Sequence, residues 1–108
     1  MREGEIVLAN LPQADGEYKT RPVVLLRLLP RYNDFLACGV STQLHQEIEG
    51  FDEIIEPTIT HRLRQTSLIR LGFLATLPQE QIRGSLGAIP ETLHRTLLER
   101  LANYLEEV

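Results

Sequence analysis

The residues best suited to chemistry lie where two apolar runs begin and end. Arg21 precedes a run rich in Val and Leu. Ser41, Thr42 and Gln43 follow the apolar run 35–40. A guanidinium can donate two parallel hydrogen bonds to an anion such as phosphate, and a hydroxyl can donate another. The pattern is compatible with a phosphate site, although an arginine at a strand end is more often only a solvated charge.

The other reactive side chains show no spacing typical of a metal or cofactor site. Cys38 is the only cysteine, which excludes a disulfide within the chain and a cluster of thiolate ligands. It is interpreted as a small buried hydrophobe. His61 and His94 show no ligand spacing with each other or with Cys38, and His45 is interpreted as a surface-loop residue. We therefore expect no metal and no cofactor.

Length and charge restrict the class of protein. A chain of 108 residues is expected to form a single domain, 1–108. Its net charge of −4 argues against binding nucleic acid through bulk charge, so any such binding would need a local basic patch. Segment 47–56 is acidic, whereas segment 62–83 is mainly basic. The N-terminus has no apolar signal core and no run is long enough to cross a membrane, so a cytoplasmic location is expected.

The candidate residues must be positioned by strands. The apolar runs predict strands at 5–9, 22–29, 35–40, 53–56 and 67–77. Pro22 has no N–H to offer a sheet, so it is expected at a strand's start or edge. It also biases Arg21 towards an extended conformation, which predicts Arg21 as the strand's first residue. Run 35–40 is apolar on both faces and should lie inside the sheet.

The C-terminal third combines a long strand with a helix. Within the strand at 67–77, Ile69, Leu71 and Phe73 are expected to share one side, with Gly72 marking a bend or bulge. Segment 82–88 is either a loop or a short strand. Leucines at three- and four-residue steps predict an amphipathic helix after Pro90, ending near Glu106. Short strands followed by one helix indicate a mainly β fold with a C-terminal helix: a small barrel or strongly curved sheet.

Four blocks of the chain together resemble the PemK/MazF family of toxin ribonucleases. They are 4–8, 21–25, 38–43, and 67–71 together with 75–78, and their order and spacing match the family's. The resemblance implies an SH3-like barrel that forms a homodimer and cleaves single-stranded RNA, including mRNA, at short sequences without a metal. It also implies a cognate antitoxin that blocks the RNA groove.

The resemblance also assigns roles to residues. Arg21 matches the arginine of the family's Arg-Pro motif, and Ser41 matches the hydroxyl residue after the third strand, which is more often Thr. The RNA 2′-OH supplies the nucleophile, so the protein needs only to align it and stabilise charge on the phosphate. The expected products are a 2′,3′-cyclic phosphate and a 5′-hydroxyl.

Residues beside these two complete the prediction. Glu17 and Lys19 precede Arg21, and Thr42 and Gln43 follow Ser41, so all four are expected to contact the substrate. Glu17 could act as the base. The net charge of −4, and the lack of a general base that aligns with the family's motifs, leave an alternative open. In this alternative the same fold is retained as a module that binds an antitoxin-like protein or nucleic acid without cleavage.

Overall fold

The computed structural model describes residues 1–107. Within this range six strands precede one helix, and the predicted mainly β fold with a C-terminal helix is confirmed. The elements are β1 Glu5–Pro12, β2 Tyr18–Leu28, β3 Phe35–Ser41, β4 Glu53–Ile55, β5 Ser67–Leu77, β6 Ile82–Ala88 and α1 Glu91–Glu106. Segment 82–88, for which a loop was the alternative, is a strand paired with β1.

The strands form one antiparallel sheet that curves into a half-barrel. Their order is β4-β5-β3-β2-β1-β6, so β3 lies inside the sheet as predicted. The connection between β4 and β5 bonds to β6: the Arg62 N–H donates to the Leu86 carbonyl at 2.7 Å, and the Ala88 N–H donates to the Thr60 carbonyl at 3.0 Å. These bonds draw the two ends of the sheet towards each other.

Side chains on the two faces of the sheet form two separate clusters. On one face α1 packs through Leu97 and Leu101 against a cluster that includes Ile6, Val24 and Cys38. Leu97 is fully buried, which stabilises the fold by about 1.5–3 kcal/mol. The other face carries a second cluster: Val7, Ala9, Leu11, Val23, Leu25, Phe35, Ala37 and Leu77. We call these two surfaces the helix-covered face and the inner face.

Pro22 lies inside β2, so the prediction that Arg21 begins this strand is wrong. β2 starts at Tyr18, and Pro22 is paired with Leu8 of β1. Pairing with β3 begins only at Val23. On its β3 side this first part of β2 is therefore not in the ladder, and a residue without an N–H is tolerated there. Arg21 is extended as predicted, but it lies inside β2, in the part that is paired with β1 and not with β3.

The prediction that Ile69, Leu71 and Phe73 share one side is also wrong for Phe73. Cys38 is paired with Leu74, whereas the next residue, Gly39, is paired with Arg70. One step along β3 thus corresponds to four along β5, and the extra residues 71–73 form the bulge expected at this point. Ile69 and Leu71 are buried, whereas Phe73 is turned out and half exposed.

The helix is joined to the sheet by polar contacts as well as by its leucines. The His94 Nε2 atom and the Leu26 carbonyl oxygen lie 2.8 Å apart. α1 ends at Glu106 as predicted. Among the described residues, no helix combines the length and apolar character needed to traverse a bilayer.

Candidate functional site

A cleft of about 340 Å³ opens beside the C-terminal end of β3. Strands β1, β2, β3 and β5 and the residues that follow β3 contribute to its walls. The lining residues are Leu11, Gln13, Arg21, Pro22, Gly39, Val40, Ser41, Thr42, Gln43, Arg70 and Phe73. Four of the six predicted site residues, Arg21, Ser41, Thr42 and Gln43, are therefore brought together around one cavity.

Strand register explains why Arg21 and Ser41 meet. Val23 of β2 is paired with Gly39 of β3, so their side-chain positions share one face of the sheet. Arg21 lies two residues before Val23, and Ser41 lies two residues after Gly39. Because side chains two apart in a strand project to the same face, both belong to the inner face. Gly39 in the cleft floor has no side chain, and the ring of Phe73 packs against it.

The Ser41 hydroxyl is oriented by the backbone that follows it. Its Oγ accepts a hydrogen bond from the Gln43 N–H at 3.0 Å. Because that contact uses a lone pair, the hydroxyl proton remains available to donate to a bound anion. Ser41 is half-buried, whereas Thr42 and Gln43 are exposed. The segment therefore presents one fixed donor and two accessible polar side chains to the cleft.

Glu17 and Lys19 do not line the cavity. Glu17 lies in the loop between β1 and β2, where its N–H donates to Asp15 Oδ1 at 2.9 Å. Lys19 lies in β2 opposite Leu11, on the same face as Arg21. Both side chains are exposed. Their predicted contacts with substrate stay predictions, which would require the substrate to extend beyond the cavity.

The structure adds Arg70 and Phe73, which sequence reasoning did not place in the site. The Arg70 guanidinium carbon lies 5.6 Å from the centre of the Phe73 ring, a cation–π distance. The ring packs against Gly39, so a Cβ at that position would lie 2.9 Å from the Phe73 Cδ1 atom. Arg70 belongs to block 67–71 of the family resemblance, so the sequence did contain a signal for it. No sequence signal indicated Phe73, because residue periodicity does not predict the bulge that exposes it.

The cleft is locally basic although the chain is acidic overall. Within residues 1–107 the ion pairs are Glu3–Arg27 and Glu53–Arg100, and neither involves a lining residue. The cavity lining includes two arginines and no Asp, Glu or His. None of the acidic residues in 47–56 is in the lining, and Asp52 of that segment is buried. The arrangement suits a ligand with negative charge and hydrogen-bond acceptors.

The other titratable candidates lie outside the cleft. Burial raises the pKa of the Cys38 thiol to about 12, so this side chain is a packed hydrophobe and a poor nucleophile. Burial lowers the pKa of His61, whose Nδ1 has no hydrogen-bond partner in residues 1–107. His45 is exposed. In the part of the chain that the structure describes, no three His, Cys, Asp or Glu residues are grouped to hold a metal ion.

Comparisons with known proteins agree with this architecture. The toxin MazF-mt6 of Mycobacterium tuberculosis has a similar fold, with a TM-score of 0.69 and 19% sequence identity over 96% of this chain and 98% of that one. No curated protein sequence matched. The family model for the PemK-like, MazF-like toxin of type II toxin–antitoxin systems matches residues 2–105. Because that match spans nearly the whole chain, the protein belongs to the PemK-like, MazF-like family of type II toxins.

Proposed function

We propose that this protein is a metal-independent endoribonuclease that cuts single-stranded RNA, including mRNA, at short sequences. The observation that carries the proposal is the cleft shared by Arg21 and Ser41, whose lining has two guanidiniums and no carboxylate. Family membership supports the same function. The cleft offers donors for a phosphodiester and no acidic side chain that would repel one.

The proposed reaction uses the substrate's own nucleophile. The 2′-OH attacks the adjacent phosphorus, the bond from phosphorus to O2′ forms, and the bond from phosphorus to O5′ breaks. The 2′-OH proton passes to a base, and the departing O5′ takes up a proton. Arg21 donates hydrogen bonds to the non-bridging oxygens, and Ser41 donates another as their negative charge grows. Glu17 is the proposed base, carried on the loop that precedes Arg21.

Partners follow from the same proposal. Lys19, Thr42 and Gln43 contact the RNA on either side of the cleavage point. A cognate antitoxin neutralises the toxin by covering the cleft. The active form is a homodimer acting in the cytoplasm. Family membership supports this arrangement.

A cleavage assay in EDTA tests the proposal. The protein is incubated with a long unstructured RNA and with a DNA of the same sequence, beside Arg21→Ala, Ser41→Ala and Ser41→Thr variants. We expect cleavage of RNA alone, products ending in 2′,3′-cyclic phosphate and 5′-hydroxyl, and activity retained in Ser41→Thr. Equal cutting by wild type and Arg21→Ala would show that the site is assigned wrongly.

A second candidate function is a non-cleaving module that binds nucleic acid or an antitoxin-like protein. The specific observation in its favour is that the cavity lining contains no carboxylate or imidazole to accept the 2′-OH proton. Binding of several RNA sequences without cleavage of any of them would support this alternative. Under the first proposal, Glu17→Gln slows cleavage; under the second, neither wild type nor this variant cleaves RNA, and both bind it equally.

A further inference from the structure

We propose that Phe73 is a stacking platform for a nucleobase beside the phosphate held by Arg21 and Ser41. This inference rests on the proposed function, because it assumes that the cleft binds single-stranded RNA. It assigns a specificity-determining role to a residue that the reaction itself does not need. The Phe73 side chain has no polar atom, so it can contribute to a polar cleft only through its ring.

The first argument is the exposure of the ring. The relative exposure of Phe73 is 50%, whereas the neighbouring Leu71 is fully buried. A half-exposed phenylalanine leaves apolar surface in water, which is unfavourable in the absence of a ligand. The ring also lines the cleft together with both arginines, so the exposed apolar surface is part of the site.

The second argument is that the ring is held in place. Its Cδ1 edge packs against Gly39, which has no Cβ to push it away. The Arg70 guanidinium lies over the ring at 5.6 Å from its centre. The backbone beneath is held by the buried Asp52 carboxylate, which accepts a hydrogen bond from the Leu71 N–H at 3.0 Å. An aromatic ring fixed in advance loses little conformational freedom when a ligand stacks on it.

The third argument is the chemistry of the surroundings. Single-stranded nucleic acids bind where cations that contact phosphates alternate with aromatic rings that stack on bases. Here two arginines, one hydroxyl and one ring share a single cavity. A protein side chain could also cover the ring, but the two guanidiniums without an acidic neighbour in the lining favour a phosphate-bearing ligand. A purine, with its larger stacking surface, should be preferred at this position.

A single-tryptophan reporter tests stacking directly. The chain contains no tryptophan, so Phe73→Trp places the only indole in the cleft. Tyr32→Trp is the matched control, because Tyr32 is 84% exposed in the turn at the opposite end of β3. The probe is a mixed-sequence RNA oligonucleotide in which fluorine replaces every 2′-OH, so the proposed reaction has no nucleophile and cannot cleave it. We expect saturable fluorescence quenching in Phe73→Trp and none in Tyr32→Trp.

An oligonucleotide of the same length carrying abasic sites separates stacking from phosphate binding. It retains the phosphates but not the bases, so it should bind without quenching the indole. Equal quenching by the abasic oligonucleotide, or in both tryptophan variants, would overturn the proposal. No response to any oligonucleotide would also overturn the proposal. A side chain of a partner protein would then be the remaining candidate to pack on the Phe73 ring.

Affinity measurements on Phe73→Ala and Phe73→Tyr complete the test. Loss of one stacked base should weaken binding of the oligonucleotide about 5- to 150-fold, and Phe73→Tyr should restore most of it. In the cleavage assay, the loss should appear mainly in KM. Thermal melting checks that each variant is folded. Quenching without cleavage would refute the nuclease function but retain the platform, whereas cleavage unaffected by Phe73→Ala would refute the platform alone.

Discussion

Arginines on the two faces of the sheet have opposite surroundings. On the helix-covered face, Arg100 Nη1 donates to the Phe51 and Asp52 carbonyls at 3.4 and 3.2 Å and pairs with Glu53 Oε1 at 3.0 Å. In the cleft, Arg21 and Arg70 have no carboxylate partner within residues 1–107. The fold uses the first guanidinium to join the helix to a loop, and it leaves the other two available for a ligand.

The acidic segment 47–56 also contains a side chain that serves the fold and does not face the cleft. Asp52 is buried and its two oxygens accept hydrogen bonds from the Ile48 N–H at 2.9 Å and the Leu71 N–H at 3.0 Å. Leu71 belongs to the bulge that carries Phe73. A carboxylate from the most acidic part of the chain therefore supports the basic cleft from behind without facing it.

The largest expected effect separates the two kinds of arginine. Arg21→Ala should lower the cleavage rate roughly 100- to 1,000-fold, because the developing phosphate charge loses a preorganised donor. Its free energy of unfolding should change by less than about 0.5 kcal/mol, as for other exposed residues. Arg100→Ala should do the reverse, losing about 1–3 kcal/mol of stability with its activity intact where it is folded. Urea denaturation and a cleavage assay of both variants check this. A loss of stability in Arg21→Ala as large as that in Arg100→Ala would contradict the proposed difference between the two arginines.

Asp52→Ala tests the support behind the cleft. The substitution leaves two backbone N–H donors, those of Ile48 and Leu71, without partners, so we expect a loss of about 3 kcal/mol in the free energy of unfolding. Asp52→Asn keeps one acceptor oxygen and should lose about half as much. Glu49→Ala, an exposed change in the same segment, is the control and should lie within about 0.5 kcal/mol of wild type. Urea denaturation measures all three, and an Asp52→Ala protein as stable as wild type would contradict this account.

The Cys38 thiol gives a pH-dependent measure of burial on the helix-covered face. Its pKa is raised to about 12 in the folded protein, whereas an unfolded thiol titrates near 8.5. The neutral thiol therefore contributes its full stability below about pH 8.5, and that contribution is lost progressively between about pH 8.5 and 12. Relative to Cys38→Ala, wild type should lose about 2 kcal/mol between pH 7 and pH 10. Parallel urea denaturation curves at the two pH values check this, and a constant difference would refute it.

Gly39→Ala probes the packing of the cleft floor and has the smallest expected effect. The new methyl would lie 2.9 Å from the Phe73 Cδ1 atom, so the ring must shift. We expect a loss of about 1 kcal/mol, at the lower end for overpacking because the ring is only half buried. In the Phe73→Ala background the same change should cost almost nothing. The double-mutant cycle measures this coupling, and additive effects would show that the two residues are not in contact.

Much of the fold follows from local patterns in the chain. The apolar runs at 35–40 and 67–77 correspond to β3 and β5, and the leucine spacing after Pro90 corresponds to α1. These predictions succeed because burial repeats with the period of the element, two in a strand and 3.6 in a helix. The Arg-Pro motif and the hydroxyl of Ser41 were likewise recognisable as local signals.

The rest of the site depends on contacts between distant parts of the chain. Pro22 is tolerated in a strand interior because β2 pairs with β3 only from Val23 onward, and Phe73 lines the cleft because of a bulge opposite Gly39. No local period encodes where the pairing of two strands ends or how many residues bulge from one of them. The availability of Arg21 and Arg70, in contrast to Arg100, is also set by which carboxylates the fold brings near. Residue order was sufficient for most of the elements and for the family, but strand register assembled the cleft, because register is a property of paired strands and not of either strand alone.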